Sequence, residues 1–285
     1  MVTIEKATDE KYSRLQEILT KMESVAVGFS GGVDSTLLVR VAQMVLGNDR
    51  VLAVTAASRT TPRHEKQATE RLAAESGIGH LIIESDELEI PEFTKNSEDR
   101  CYICKKSRFA AITALAGQRG LNWTADGSNS DDRGDYRPGM KALLELGVRS
   151  PLLEAGLSKA DIRTLSRRLG LSTWDKPASP CLATRIPYGT PITAEKLSQV
   201  EAAEDFILSK ITSRQLRVRH HGKVAHIEIA AQDIPKLLEK EIREDVVGFL
   251  KGIGFKLVML DLEGYRMGNL NPKAESETQE KGSEV

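Results

Sequence analysis

The sequence predicts an α/β protein: a parallel sheet with helices on both faces, followed by a small C-terminal α+β domain. Three observations predict it. Short β-branched apolar runs alternate with segments of helical apolar spacing through the first 170 or so residues. Polar, glycine-bearing turns follow several of those runs, where ligands bind in open parallel sheets. Near residue 187 the pattern changes to short alternating strands and helices.

Residues 7–22 carry Leu15, Ile18, Leu19 and Met22 at helical spacing. The predicted strands are 24–29, 51–56 (VLAVTA), 80–84 (HLIIE) and 121–125 (LNWTA). The predicted helices are 34–46, 62–76, 105–117 and 158–169. Such alternation gives a parallel sheet covered on both sides. The Gly31 turn, Thr55–Ser58 and Asp126–Asn129 then stand at carboxyl strand ends and converge on one cleft. Beyond it come a helix at 193–209, strands QLRVRHH and VAHIEIA around Gly222, a helical stretch 232–251 and a last strand, FKLVMLDL. The expected domains are 1–186 and 187–265, with a disordered tail, 266–285, that is almost free of apolar residues from Pro272 onward.

Of the 285 residues, 40% are hydrophobic and 28% charged, enough for sizeable cores. The formal net charge is −1, which argues against a protein that binds nucleic acid mainly by electrostatics. The charged opening, MVTIEKATDEKY, lacks the apolar core of a secretory signal. No apolar run approaches the ~20 residues of a membrane span. Three cysteines are too few for a secreted disulfide framework and fit a cytoplasmic chain with free, metal-bound or redox-active thiols.

AVGFSGGVDST, from Ala26, reads strand, glycine turn, helix. Such a turn gathers free backbone N–H groups at the positive end of a helix, which attracts phosphate. A helix cap would need neither the Gly31–Gly32 pair nor the second hydroxyl, so phosphate binding is favoured. The loop lacks the lysine of a Walker A motif. Ser30, Gly31, Gly32, Ser35 and Thr36 are the candidate phosphate-binding residues, and Asp34 is suited to act through Mg²⁺. Cys101 and Cys104 form a CxxC pair, and Cys181 stands in ASPCLATRIPYG. Their spacing alone is equally compatible with a metal or cluster site, a redox pair and buried thiols. DGSNSDDRGDYRPG, with Gly127 near its start, follows a predicted strand and suits a nucleotide or metal contact. Arg217 and Arg219 lie two apart, hence on one strand face, and could grip a phosphate or carboxylate; a solvated sheet face reads the same way.

SGGVDS resembles the phosphate loop of the N-type ATP pyrophosphatases, which split ATP into AMP and pyrophosphate. Together with DYRPGMKA, RIPYGTPIT and RVRHHG, it makes the chain similar to the LarE family up to about residue 265. That resemblance implies an ATP pyrophosphatase fold of the adenine nucleotide alpha hydrolase-like kind, and a homohexamer. It implies ATP-dependent adenylation of pyridinium-3,5-dicarboxylate mononucleotide and replacement of AMP by sulfur, for the nickel-pincer nucleotide cofactor of lactate racemase. One kind of member sacrifices the sulfur of a single loop cysteine. The other carries three cysteines and a 4Fe-4S cluster that passes on sulfide. Cys101, Cys104 and Cys181 match the second kind, and Pro180 departs from the A-S-C loop of the first. Alternatives are a tRNA thiolase, an ammonia-using amide ligase such as NAD synthetase, and a nucleotide-binding module without turnover. Neutral charge and the absence of an added RNA-binding domain count against the thiolase, and an amide ligase leaves three cysteines without a role.

Overall fold

In the computed structural model, residues 2–134 and 138–266 are described. Helix α1 (Val2–Met22) precedes β1 (Val25–Gly28), α2 (Val33–Leu46), β2 (Val51–Ala57), α3 (Arg63–Ser76) and β3 (His80–Glu84). Next come α4 (Pro91–Thr94), α5 (Arg100–Gln118) and β4 (Trp123–Ala125). These strands form a parallel sheet in the order β3-β2-β1-β4, with Val25 opposite both Val51 and Trp123.

Side chains along a strand alternate between faces, and β1 shows the consequence. Val25 and Val27 join a core with Leu15 and Leu19 of α1, and Leu37 and Val41 of α2. Ala26 faces the other way, toward Phe109 and Ile112 of α5. Helices thus cover both sheet faces, as the sequence predicts. Gly28 ends β1 because a Cβ there would lie 2.8 Å from the ring of Phe109.

Helices α6 (Pro138–Glu145), α7 (Pro151–Glu154) and α8 (Lys159–Arg168) complete this part of the chain. They lead to α9 (Ala194–Lys210), β5 (Leu216–His221), β6 (Val224–Ile229), α10 (Ile234–Leu237), α11 (Lys240–Gly252) and β7 (Leu257–Leu260). β5 and β6 pair antiparallel, and β7 joins β6 in parallel, giving a mixed sheet in the order β5-β6-β7. Its core sets Ala203 and Ile207 of α9 and Val246 and Leu250 of α11 with Val218 and Ile227. Phe206 and Phe249 stack between the helices at 4.0 Å.

Several boundaries differ from expectation, and the first helix begins at Val2 instead of near residue 7. The helix predicted at 105–117 begins at Arg100, so Cys101 and Cys104 lie on α5. The apolar rhythm that marks this helix resides in its buried residues Phe109, Ile112 and Ala116, while its first turns, with buried Arg100, pack Ile103 and Cys104 on a separate apolar cluster. The stretch 232–251 is broken between Leu237 and Lys240 into α10 and α11. Asp135, Tyr136 and Arg137 of DYRPG lie outside the described residues, as does the expected disordered tail beyond Arg266.

Candidate active site

β1 feeds the glycine loop, and α2 leaves it. Gly31 has φ of +67°, which strains any residue with a side chain. The Ser30 N–H donates to Ser35 Oγ at 3.3 Å, and the two serine hydroxyls stand 3.2 Å apart. Gly32 is the N-cap residue, and no side chain caps the helix. This corrects the reading of the turn as a side-chain helix cap. Thr36 Oγ1 is buried without a hydrogen-bond partner among the described residues. A buried unsatisfied hydroxyl costs about 1–3 kcal/mol, and a phosphate oxygen at the loop would satisfy it. An uncapped helix start and an orphaned hydroxyl in one turn fit an anion.

Asp34 pairs with Lys159 of α8 at 2.5 Å and accepts from Asn129 Nδ2 at 3.4 Å. The Asn129 N–H donates to Asp132 at 2.9 Å, and the Lys159 N–H donates to Asp131 at 3.0 Å. Three aspartates therefore surround one end of the loop. Mg²⁺ characteristically takes one or two carboxylates plus substrate phosphates, so this donor set suits it. Gly127 packs on the start of α2: a Cβ there would lie 3.1 Å from the Ser35 nitrogen. Buried Asp126 accepts from Ser128, Ser150 and Lys105 at 2.5, 2.6 and 3.2 Å. On the other side of the loop, Lys176 donates to the Gly31 carbonyl at 3.1 Å and to Glu65 at 2.7 Å.

The cysteines meet beside this cleft. Cys101 and Cys104 are one helical turn apart on α5, and Cys104 and Cys181 pack on a shared cluster around Phe93 and Leu182. Burial pushes the Cys104 thiol up to about 12, with Glu87, Cys181 and Cys101 adding to it against the pull of Arg108. The Cys101 thiol, on an exposed residue, is raised by desolvation of its sulfur and by Cys181, against Arg100 and Lys105. All three sulfurs thus lie within one another's electrostatic reach, beside three cations. Among the described residues, no three His, Cys, Asp or Glu side chains are arranged to hold a metal ion. A 4Fe-4S cluster attaches each thiolate to a different iron, so its ligands stand farther apart than those of one ion. Three soft thiols flanked by Arg100, Lys105 and Arg108 are the donor type that such a cluster takes.

Arg108 ties the thiols to the nucleotide side. Its Nε donates to buried Glu87 at 2.5 Å, and its Nη2 donates to Ser58 and Thr60 at 2.9 Å each, just past β2. Burial pushes the Glu87 carboxyl up, but Arg108, Ser58 and Ser85 together hold it below the usual range. The Cys181 segment hangs from the same turn, since Leu182 N–H donates to the Thr60 carbonyl at 2.8 Å.

Arginines fix the rest of that segment. Arg185 donates to the carbonyls of Pro180 and Cys181 at 2.7 and 3.1 Å, Arg100 to Ala183 at 3.0 Å and Arg219 to Thr184 at 2.9 Å. Arg219 is buried against Glu228 at 2.7 Å, so most of its donors are committed inside the protein. Arg217 reaches the Ala178 carbonyl at 3.3 Å and lies over the ring of Tyr265. The two arginines do share a strand face, and that face meets the Cys181 segment. His220 and His221 point to opposite sides, one buried and one exposed.

A family model described as NAD synthase matches residues 7–113, which hold the glycine loop and the CxxC pair. An uncharacterized protein of Synechocystis sp. is 40% identical over 263 residues, 92% of this chain and 97% of its own. The pyridinium-3,5-bisthiocarboxylic acid mononucleotide synthase of Lactiplantibacillus plantarum is 38% identical over 261 residues, 92% of this chain and 94% of its own. The chain belongs to the LarE family. It is an ATP-dependent sulfurtransferase built on a phosphate loop of the ATP pyrophosphatase type. An uncharacterized protein of Methanocaldococcus jannaschii is 28% identical over 248 residues, 86% of this LarE-family chain and 92% of its own.

Sequence reasoning missed Lys105, Lys159, Lys176 and the Glu87–Arg108 pair. Extending the helix back to residue 100 would have aligned Arg100, Cys104 and Arg108 at i, i+4 and i+8, a stripe of thiol between cations. Nothing local marks Lys159 or Lys176, because both reach the loop from distant segments.

Proposed function

We propose that this protein adenylates the carboxylates of pyridinium-3,5-dicarboxylate mononucleotide and replaces AMP with sulfur, in assembly of the nickel-pincer nucleotide cofactor. The observation that carries this reading is the packing of Cys104 and Cys181 on one cluster, with Cys101 one helical turn from Cys104, while Arg108 and Leu182 tie that cluster to Thr60 in the turn after β2. The identity to the L. plantarum synthase supports the substrate class.

A carboxylate oxygen attacks the α-phosphorus of ATP and expels pyrophosphate, giving a mixed anhydride with AMP. A sulfur nucleophile then attacks the acyl carbon, and AMP leaves with the bonding pair. Ser30, Gly31, Gly32, Ser35 and Thr36 hold the leaving pyrophosphate, and Asp34 holds Mg²⁺ against it. Gly127 lets its segment close against the start of α2, beside the nucleotide. Arg217 faces the substrate's phosphate or carboxylate, while Arg219 positions the Cys181 segment. Cys101, Cys104 and Cys181 are the ligands of a 4Fe-4S cluster. When bound, that cluster supplies an open iron able to carry sulfide. Residues 1–186 form the ATP domain and 187–265 the substrate and oligomer domain of a cytoplasmic homohexamer. Sulfide or another sulfur donor completes the reaction.

The test is anaerobic purification with iron and acid-labile sulfide assays. It is followed by turnover with ATP, Mg²⁺, sulfide and the dicarboxylate mononucleotide. About four irons per chain and a product heavier by the exchange of sulfur for oxygen are expected. Pyrophosphate release without sulfur in the product would reject the sulfur step. Iron-free protein that still transfers sulfur would reject the cluster.

A further inference from the structure

The glycine loop contains no lysine, yet the fold brings one against its backbone. We propose that Lys176 is the phosphate-binding cation of this loop, gripping the β and γ phosphates of ATP and then the departing pyrophosphate. The proposal rests on ATP use by the family. Lys176 Nζ stands 3.1 Å from the carbonyl of Gly31. That residue is in the middle of the turn whose N–H groups open α2. The ammonium is therefore bonded to the turn that would seat the phosphates. Pyrophosphate departure concentrates negative charge at a point where the loop's own backbone offers only partial charges. A lysine acts on phosphate as a mobile point charge, which needs reach more than fixed geometry.

Lys176 has that reach. Its side chain is 23% exposed, and among the described residues its carboxylate partner is Glu65, in the first turn of α3. It also borders an open cavity of about 530 Å³ lined by Arg71, Leu72, Thr173 and Arg214, so one side of its stem is not packed. Glu65 holds the ammonium beside the loop when no phosphate is present and competes with phosphate for it. Lys159, the other lysine at the loop, is bonded to Asp34 and offsets that charge instead. Lys176 lies five residues before Cys181. The segment that carries sulfur chemistry thus begins at the group that senses pyrophosphate.

The experiment measures binding of ATP, AMP and inorganic pyrophosphate, each with Mg²⁺, by titration calorimetry on the full chain. The variants are Lys176→Met, Lys176→Arg and Glu65→Gln. Lys176→Met should weaken ATP and pyrophosphate about tenfold or more, the scale of one charge-assisted hydrogen bond. It should leave AMP within about twofold, since AMP lacks the phosphates in question. Lys176→Arg should recover part of the loss. Glu65→Gln, which keeps the lysine and removes its competitor, should tighten pyrophosphate. Equal weakening of ATP and AMP, no weakening at all, or weaker pyrophosphate binding in Glu65→Gln would overturn the assignment. A wild-type chain that binds neither ATP nor pyrophosphate would overturn it together with the ATP reading.

Discussion

Arg185 and Glu204 face each other through two buried hydrogen bonds, of 2.9 and 2.8 Å. Glu204 also accepts from the backbone of Val218, and the free end of Arg185 holds the carbonyls of Pro180 and Cys181. The first strand of the small sheet therefore sets the position of the third cysteine. Glu204→Ala leaves a buried guanidinium without its counter-ion. The expected loss is about 3–5 kcal/mol of stability, together with weaker iron retention at Cys181. Urea unfolding and iron assays at a temperature where the variant stays folded check both. A variant as stable as wild type would show that the pair does not anchor the segment.

Thr36→Val tests the orphaned hydroxyl. The change keeps shape and removes a group with no partner among the described residues. Stability should stay level or rise by up to about 1 kcal/mol, while pyrophosphate binding weakens. Calorimetric binding and a melting curve on one sample separate the two effects.

Asp34→Asn and Ser35→Ala should each impair AMP and pyrophosphate formation, because both side chains lie in the first turn of α2 beside the loop and outside the apolar cores. Activity within about twofold of wild type, under ~0.5 kcal/mol of barrier, would contradict the assigned roles.

Each single Cys→Ala change, at 101, 104 or 181, should lose most of the bound iron. In the wild type, Cys181 should remain intact after several turnovers with sulfide. A sacrificial mechanism instead converts residue 181 to dehydroalanine and tolerates the loss of Cys101 or Cys104. Intact-protein mass spectrometry after turnover distinguishes them.

Asp161 gives a pH signature. Burial disfavours its charge, but Lys11, Ser158 and Thr8 bond it and hold its carboxyl well below the usual range. A carboxylate with a depressed folded pKa contributes stability that is present above its unfolded value of about 3.9 and is lost as pH falls below it. Asp161→Asn should lower stability at neutral pH and flatten the decline below about pH 4. Denaturant midpoints from pH 2 to 7 measure the slope, and an unchanged slope would remove Asp161 from the acid response.

By itself the sequence determined the alternating sheet, its helices on both faces, the glycine loop and the change of pattern near residue 187. Those signals are local. A buried strand or a core-facing helix stripe is written in residues a few positions apart, as Val25–Gly28 and Leu37, Leu38 and Val41 show. The start of α5 was illegible for the same reason: its first turns pack Ile103 and Cys104 on a different apolar cluster from Phe109 and Ile112, so they do not continue one stripe. Only the tertiary structure decided which distant groups meet. Cys104 and Cys181 share one cluster, Lys176 touches Gly31 across 145 positions, and Arg219 is claimed by Glu228. A charged or thiol side chain carries no period that announces its partner. Its neighbours are fixed by how the parallel crossovers stack strand ends and helix starts around the cleft, a long-range consequence of burying the apolar faces.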